Sequence, residues 1–227
     1  GEGPVAGPVV NALEHVSDRD FVVELLSIVS ITQMHLSRFA EDMILYSTAE
    51  YGYLDLPEEF CTGSSLMPHK KNADFMELMR GSTGRVYGDL IAVLTTMKGL
   101  PSSYNRDMQL DKEPLFSSVE LLQNELEMLA RFIPGITLRE EVIAEALDDE
   151  HFYGVEVAQY LVEQGVAFAD AHEIVGKLIR YAEDNDCEIR EMSDEALRDF
   201  HPALNQQALN EVMTPEYAVR SKKSIKR

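Results

Sequence analysis

Tryptophan is absent from this 227-residue chain and cysteine occurs twice, at Cys61 and Cys187. Two thiols so far apart have no metal-ligand spacing, so the expectation is a pair of reduced thiols in a cytoplasmic protein, not a disulfide framework. Long apolar runs are missing as well. No stretch approaches the roughly 18 residues a membrane span requires, and no membrane partner is expected. Positive charge is scarce: 20 Lys and Arg face 40 Asp and Glu, a formal net charge of −20. A chain of that sign is repelled by a phosphate backbone, which excludes nucleic acid as an expected partner, and the acidity reads as solubility in preference to salt adaptation. Strand patterns with alternating apolar residues are nearly absent. No internal repeat and no low-complexity tract is present.

What the chain does contain is helical periodicity. Its hydrophobic fraction of 45% and charged fraction of 26% are ordinary for a globular protein, and the length allows one or two domains. After a glycine- and proline-bearing start, Ser17 reads as an N-cap with Asp20 three positions on. From Phe21 the positions Val22, Leu25, Leu26, Val29, Leu36, Phe39, Ala40, Met43 and Ile44 recur at helical spacing, with no glycine or proline before Gly52. A second helix is predicted from about Asn72 to Lys98, with Phe75, Leu78, Met79, Val86, Leu90, Val93, Leu94 and Met97 facing inward. Gly81, Gly84 and Gly88 inside it suggest close packing against a neighbour; Gly99 and Pro101 stop it. A third helix carries Leu115, Val119, Leu122, Leu126, Leu129 and Phe132 up to Pro134-Gly135.

Long helices with wide apolar faces and brief connections predict an all-α fold built on an antiparallel bundle. Beyond Pro134 the amphipathic segments are shorter: about 139–146, 154–164, 169–185, 193–200 and 205–213. The expected organisation is an irregular lead-in over 1–16, a central bundle over 17–134, and a small C-terminal helical domain over 135–227. The basic tail, with Arg220, Lys222, Lys223, Lys226 and Arg227, reads as a solvated end.

The chemistry concentrates in a loop over residues 62–72, Thr62-Gly63-Ser64-Ser65-Leu66-Met67-Pro68-His69-Lys70-Lys71-Asn72. It gathers hydroxyls, ammonium groups and an amide just before a helix N-terminus, where positive potential favours an anion or a developing carbanion. An elimination beside a carboxylate passes through a doubly charged aci-carboxylate. Lys70 is its natural electrostatic partner and Asn72 a neutral donor. A serine is a poor base at its free pKa, so Ser64 could serve only in the same positive surround. The plainer alternative is that Ser65 or Asn72 caps the helix. A phosphate loop is excluded, because no glycine immediately precedes Lys70 and no Ser or Thr follows it. The histidines stand singly without zinc spacing, and Asp148-Asp149-Glu150-His151 reads as a solvated connection in preference to a metal site. No cofactor motif is present, so neither cofactor nor metal is expected.

The loop resembles the GSSxMPxKxN signature of the fumarase/aspartase superfamily of lyases. Within it the chain is most similar to the argininosuccinate lyase family, through Val16 to Phe21, Gly84 to Gly88, Lys98 to Pro101, Ser103 to Asp107, Gln109, Asp111-Lys112, and Ala171 to Gly176. The resemblance implies reversible β-elimination of argininosuccinate to arginine and fumarate. It implies Ser64 as base, Lys70 and Glu77 as further catalytic residues (Glu77 orienting a catalytic histidine), and Ser65, Asn72, Tyr104, Gln109 and Lys112 as substrate contacts. Arg19 matches the pattern too, flanked by Asp18 and Asp20.

Members of the superfamily are about twice this length. The resemblance therefore also implies that the catalytic histidine lies in an N-terminal half not contained here, that this chain alone is inactive or nearly so, and that its partner is a complementing chain or further copies in a homotetramer. Ala73 stands where the family usually has proline, so a less sharply closing loop is expected. Two other readings stay open: a non-catalytic, crystallin-like helical assembly protein, and a sister lyase acting on adenylosuccinate.

Overall fold

A computed structural model describes residues 11–63 and 71–222, and it is all-α with four two-residue strands among those residues. The chain divides into two compact units, residues 1–139 and 140–227.

In the first unit, α1 (Ala12–Ser17) precedes α2 (Asp20–Tyr46), a 27-residue helix about 40 Å long. The chain is therefore helical from Ala12, inside the expected lead-in. Ser17 caps nothing: it ends α1 and donates to the Glu14 carbonyl at 2.9 Å. The cap-like contact at the α2 start comes from Asp18, whose Oδ1 accepts the Asp20 N–H at 2.8 Å. Two strands, β1 (Leu54–Asp55) and β2 (Thr62–Gly63), lead to β3 (Lys71–Asn72) and α3 (Asp74–Met97). A 3-10 turn over Arg106–Asp111 opens α4 (Lys112–Phe132), and β4 (Thr137–Leu138) pairs antiparallel with β1.

The three long helices meet along stripes spaced alternately three and four residues apart. They are Val22, Leu26, Val29, Gln33, Leu36 and Ala40 on α2; Met76, Met79, Thr83, Val86, Leu90, Val93 and Met97 on α3; Leu115, Ser118, Leu122, Glu125, Leu129 and Phe132 on α4. This is the seam of a coiled-coil-like bundle. Val22 and Leu26 pack with Val93 and Leu115, while Ala40 packs with Met76, Met79, Leu129 and Phe132. Helix α3 thus runs antiparallel to α2 and α4.

Polar residues occupy the middle of the seam. The fully buried Gln33 places its Nε2 3.1 Å from the Met79 carbonyl, 3.0 Å from Ser82 Oγ and 2.7 Å from Glu125 Oε2. Ser82 also donates to Glu125.

Several expected inward residues lie outside the seam: Leu78 is 73% exposed, and Leu25, Leu94 and Leu126 are exposed as well. Together with Phe21, Ile28, Ile91 and Phe116 they form further apolar faces that these three helices leave uncovered. Gly81, Gly84 and Gly88 sit on that exposed side of α3. Nothing described lies within 4 Å of a Cβ added to any of them, so close packing within this chain does not account for them.

The second unit comprises α5 (Glu140–Leu147), α6 (Gly154–Glu163), α7 (Phe168–Asn185), α8 (Asp194–Phe200), α9 (Gln206–Val212) and α10 (Pro215–Ser221). Ser193, Asn205 and Thr214 cap the last three through side-chain oxygens. One cluster, from Tyr153 and Leu161 through Leu178 to Leu197, Leu204, Leu209 and Met213, fills its interior.

Candidate active site

Strand β2 pairs antiparallel with β3 in the register Thr62↔Asn72 and Gly63↔Lys71, so a short ladder brings the two ends of the signature segment side by side. Ser64, Ser65 and Lys70 lie outside the described residues. Asn72 sits half-buried on β3 and is not the helix cap; that position belongs to Ala73, which makes no side-chain cap bond. Ala73 has φ −79°, within the range a proline ring imposes, so the helix start takes the same course with alanine. One turn on, Glu77 is exposed in the first turn of α3, where a carboxylate complements the helix dipole.

Beside the ladder, Lys71 Nζ lies 2.9 Å from Glu58 Oε1. The hydrogen bond and charge of each partner hold Glu58 below the usual carboxylate range and Lys71 above the usual lysine range. Burial pushes the neighbouring Cys61 thiol up against the opposing charge of Lys71, so Cys61 is not an activated thiolate.

The second group of singled-out residues occupies the segment between α3 and α4. Tyr104 and Gln109 are exposed, and Lys112 opens α4 with its side chain 58% exposed. Asp111, 3% exposed, receives Lys112 Nζ at 2.8 Å on one carboxylate oxygen and Arg19 Nε at 2.6 Å on the other. Burial pushes the Asp111 carboxyl up, but the hydrogen bonds and charges of Lys112 and Arg19 outweigh it and leave its pKa below the ordinary value.

The two groups do not meet. Asn72 and Glu77 stand at the start of α3; Lys112 and Asp111 stand at the other end of the bundle, where Leu115 packs with Val22, Val93 and Met97. Helix α3 separates them by 24 residues, about 36 Å. Within one chain, a single substrate cannot touch both.

In the second unit, Asp148 and Glu150 bind Arg190, Glu150 also accepts the Ile189 and Arg190 N–H groups, and Asp149 accepts the His151 N–H. These roles use the acidic run structurally. Among the described residues no group of three or more potential ligands is arranged to hold a metal ion. A cleft of about 720 Å³ lined by these acids and an apolar one of about 520 Å³ between α6 and α7 contain none of the predicted site residues.

Sequence reasoning named Asp111 only as part of the family resemblance, without a role, and did not single out the Gln33–Glu125 pair. Gln33, Ser118 and Glu125 were detectable as polar residues interrupting apolar seven-residue repeats. The resemblance marked Asp111 without saying what it does, since an aspartate before a helix ordinarily reads as its cap.

A family model described as "Lyase" matches residues 3–88, and one described as "Argininosuccinate lyase C-terminal" matches 154–220. The argininosuccinate lyase of Desulfatibacillum aliphaticivorans is 45% identical over 219 residues, covering 96% of this chain and 47% of that protein. The chain resembles argininosuccinate lyases of the fumarase/aspartase superfamily. The argininosuccinate lyase of Clostridium acetobutylicum is 48% identical over 193 residues, 85% of this chain and 44% of its own length. The chain thus spans about half the length of the curated relatives it matches. Among solved structures, class II fumarase from Schistosoma mansoni aligns with a TM-score of 0.78 at 19% identity, over 95% of this chain and 43% of that one. An EDDS lyase variant with bound fumarate aligns with a TM-score of 0.75 at 21% identity, over 95% and 44%. The fold is therefore the one those lyases share.

Proposed function

We propose that this chain is the part of an argininosuccinate lyase that carries the signature loop, acting in the cytoplasm within a homotetramer. The observation that carries the reading is the 45% identity, across 96% of the chain, to a protein named argininosuccinate lyase. In the proposed reaction Ser64 takes the proton from the carbon beside one carboxylate. The electron pair left behind forms the double bond of fumarate, and the adjacent C–N bond breaks to release arginine. Lys70 and the loop N–H groups stabilise the doubly charged intermediate, and Glu77 orients a histidine supplied by other polypeptide. Ser65, Asn72, Tyr104, Gln109 and Lys112 hold the substrate's carboxylates and its zwitterionic end. No cofactor takes part.

The separation of the two residue groups along α3 supports a site shared between chains: one chain lends its signature-loop end and another its Lys112 end. The uncovered apolar faces of α2, α3 and α4 give such an assembly a hydrophobic driving force.

Fumarate absorbance tests the proposal. The chain alone is expected to release no fumarate from argininosuccinate, and the chain co-expressed with the N-terminal half of the Desulfatibacillum relative is expected to do so. Preference for adenylosuccinate would mean the sister lyase. A stable complex active on neither substrate would mean the crystallin-like assembly protein.

A further inference from the structure

Asp111 stands in the N-cap position of α4 without capping it. Its backbone is already helical, at φ −72° and ψ −25°, and its side chain makes no cap hydrogen bond. Aspartate is favoured at this position because its carboxylate ordinarily satisfies free N–H groups of the first turn. Here both carboxylate oxygens are turned to cations, Oδ2 to Arg19 Nε at 2.6 Å and Oδ1 to Lys112 Nζ at 2.8 Å. Arg19 is itself tethered, donating through Nη1 to the Asp18 carbonyl at 2.6 Å, and it belongs to the start of α2, 92 positions away in sequence.

The three groups form a chain of restraint. The Arg19 side chain is mostly buried, at 16% exposure, and the Asp111 side chain more so, at 5%, while that of Lys112 is 58% exposed. An exposed lysine on its own samples many rotamers, and fixing it carries an entropic cost at the moment of binding. A buried carboxylate locked by a second cation meets that cost in advance.

We propose that Asp111 is a positioning residue for the elimination: anchored by Arg19, it holds the Lys112 ammonium ready for a substrate carboxylate. The proposal rests on the reading of Lys112 as a substrate contact. It assigns Arg19 to the anchor of that contact and not to the substrate itself.

The test has two arms, and the first does not depend on turnover. Reductive methylation of the purified chain, followed lysine by lysine by mass spectrometry, should find Lys112 slower than Lys177, whose exposed i,i+4 partner Glu173 holds it only loosely. In Asp111→Asn, Lys112 should react several-fold faster while Lys177 keeps its rate. Arg19→Gln, which alters neither Asp111 nor Lys112, should move Lys112 in the same direction by less, and it serves if Asp111→Asn does not fold. Unchanged Lys112 reactivity in the folded variants would overturn the clamp.

The second arm uses the chain assembled with the N-terminal half. Loss of a charged hydrogen bond at the binding contact predicts a KM for argininosuccinate raised about tenfold, with kcat moved far less and Asp111→Glu partly restoring KM. A faster Lys112 with KM unchanged would overturn the positioning role. If the unaltered assembly turns over no argininosuccinate, the functional reading fails and takes that role with it, while the methylation rates still decide whether the clamp exists.

Discussion

The bundle and the small unit solve the burial problem differently. The small unit fills one interior cluster, drawn from all its segments between Tyr153 and Met213, almost wholly with apolar side chains. The bundle has most of its buried hydrophobics in two separate clusters and places Ser30, Gln33, Ser118 and Glu125 between its helices, while Phe21, Ile28, Ile91 and Phe116 face outward. Polar groups at a helical seam trade stability for register, and uncovered apolar faces call for further protein. The small unit gathers most of its apolar side chains into that one interior and leaves Phe152, Val155 and Phe168 exposed beside the α6–α7 cleft, whereas the bundle leaves whole helix faces exposed.

The largest effect should come from matched core truncations. Leu178→Ala in the small unit and Leu26→Ala in the bundle each remove a fully buried side chain and should each cost about 2–5 kcal/mol. Hydrogen exchange read separately over the two units should then part them. Stability of the bundle should rise with protein concentration, as it does for any surface stabilised by association, and that of the small unit should not. A concentration-independent bundle would break the comparison at its root.

Next in size is the seam itself. Gln33→Ala strips the buried Glu125 of one of its two hydrogen-bond donors and should cost about 1–3 kcal/mol. Replacing both by leucine should recover most of that loss in denaturant titrations, because an apolar pair leaves no stranded charge. The double variant is expected to lose uniqueness of helix register instead, visible as broadened NMR lines.

The two units should also differ in their response to pH. The pKa of Asp111 in the bundle is lower than its unfolded value, so its contribution is present above that value and disappears as pH falls through the folded one. In the small unit, burial raises the phenols of Tyr153 and Tyr217. Their folded forms resist ionisation, so stability is present below the ordinary tyrosine pKa of about 10 and is lost as pH climbs past it. Acid titration of hydrogen exchange should therefore weaken the bundle end near Arg19, and alkaline titration the small unit around Tyr153 and Tyr217, with a separate alkaline loss in the bundle beside Cys61, whose thiol burial also raises. Tyr153→Phe should blunt the alkaline limb, at the expense of the 2.6 Å bond to the Leu147 carbonyl.

How much of this was legible follows the same division. Helix existence and most boundaries came from periodicity, and the caps Ser193 and Asn205 fall where short polar residues precede apolar runs. The irregular start concealed α1, because a six-residue helix presents too little periodicity to stand out, and Pro215 opens α10 at a position that reads equally as a stop. Leu78, Leu94 and Leu126 read as core because sequence shows that a face is apolar without showing what covers it. For the candidate site, residue types were readable and distances were not. Nothing in the string Tyr104 to Lys112 says that α3 holds it a full helix length from Asn72, or that Asp111 turns away from its cap.

The smallest expected effect lies at the ladder that closes the signature segment. Glu58 and Lys71 pair at 2.9 Å, but both are well exposed, and salt screens such pairs. Their shifts point outward on both sides: Glu58 is held low, so its share is lost as pH falls through its folded pKa, and Lys71 is held high, so its share is lost as pH rises through its own. Glu58→Gln should leave global unfolding where it is and speed hydrogen exchange at Thr62, Gly63 and Lys71 slightly at low salt, with the difference erased at high salt. A change in global stability would mean that this stem is continuous with the Phe60–Phe75–Phe132 aromatic packing beneath it. The two described ends of the signature segment would then be tied to the bundle core.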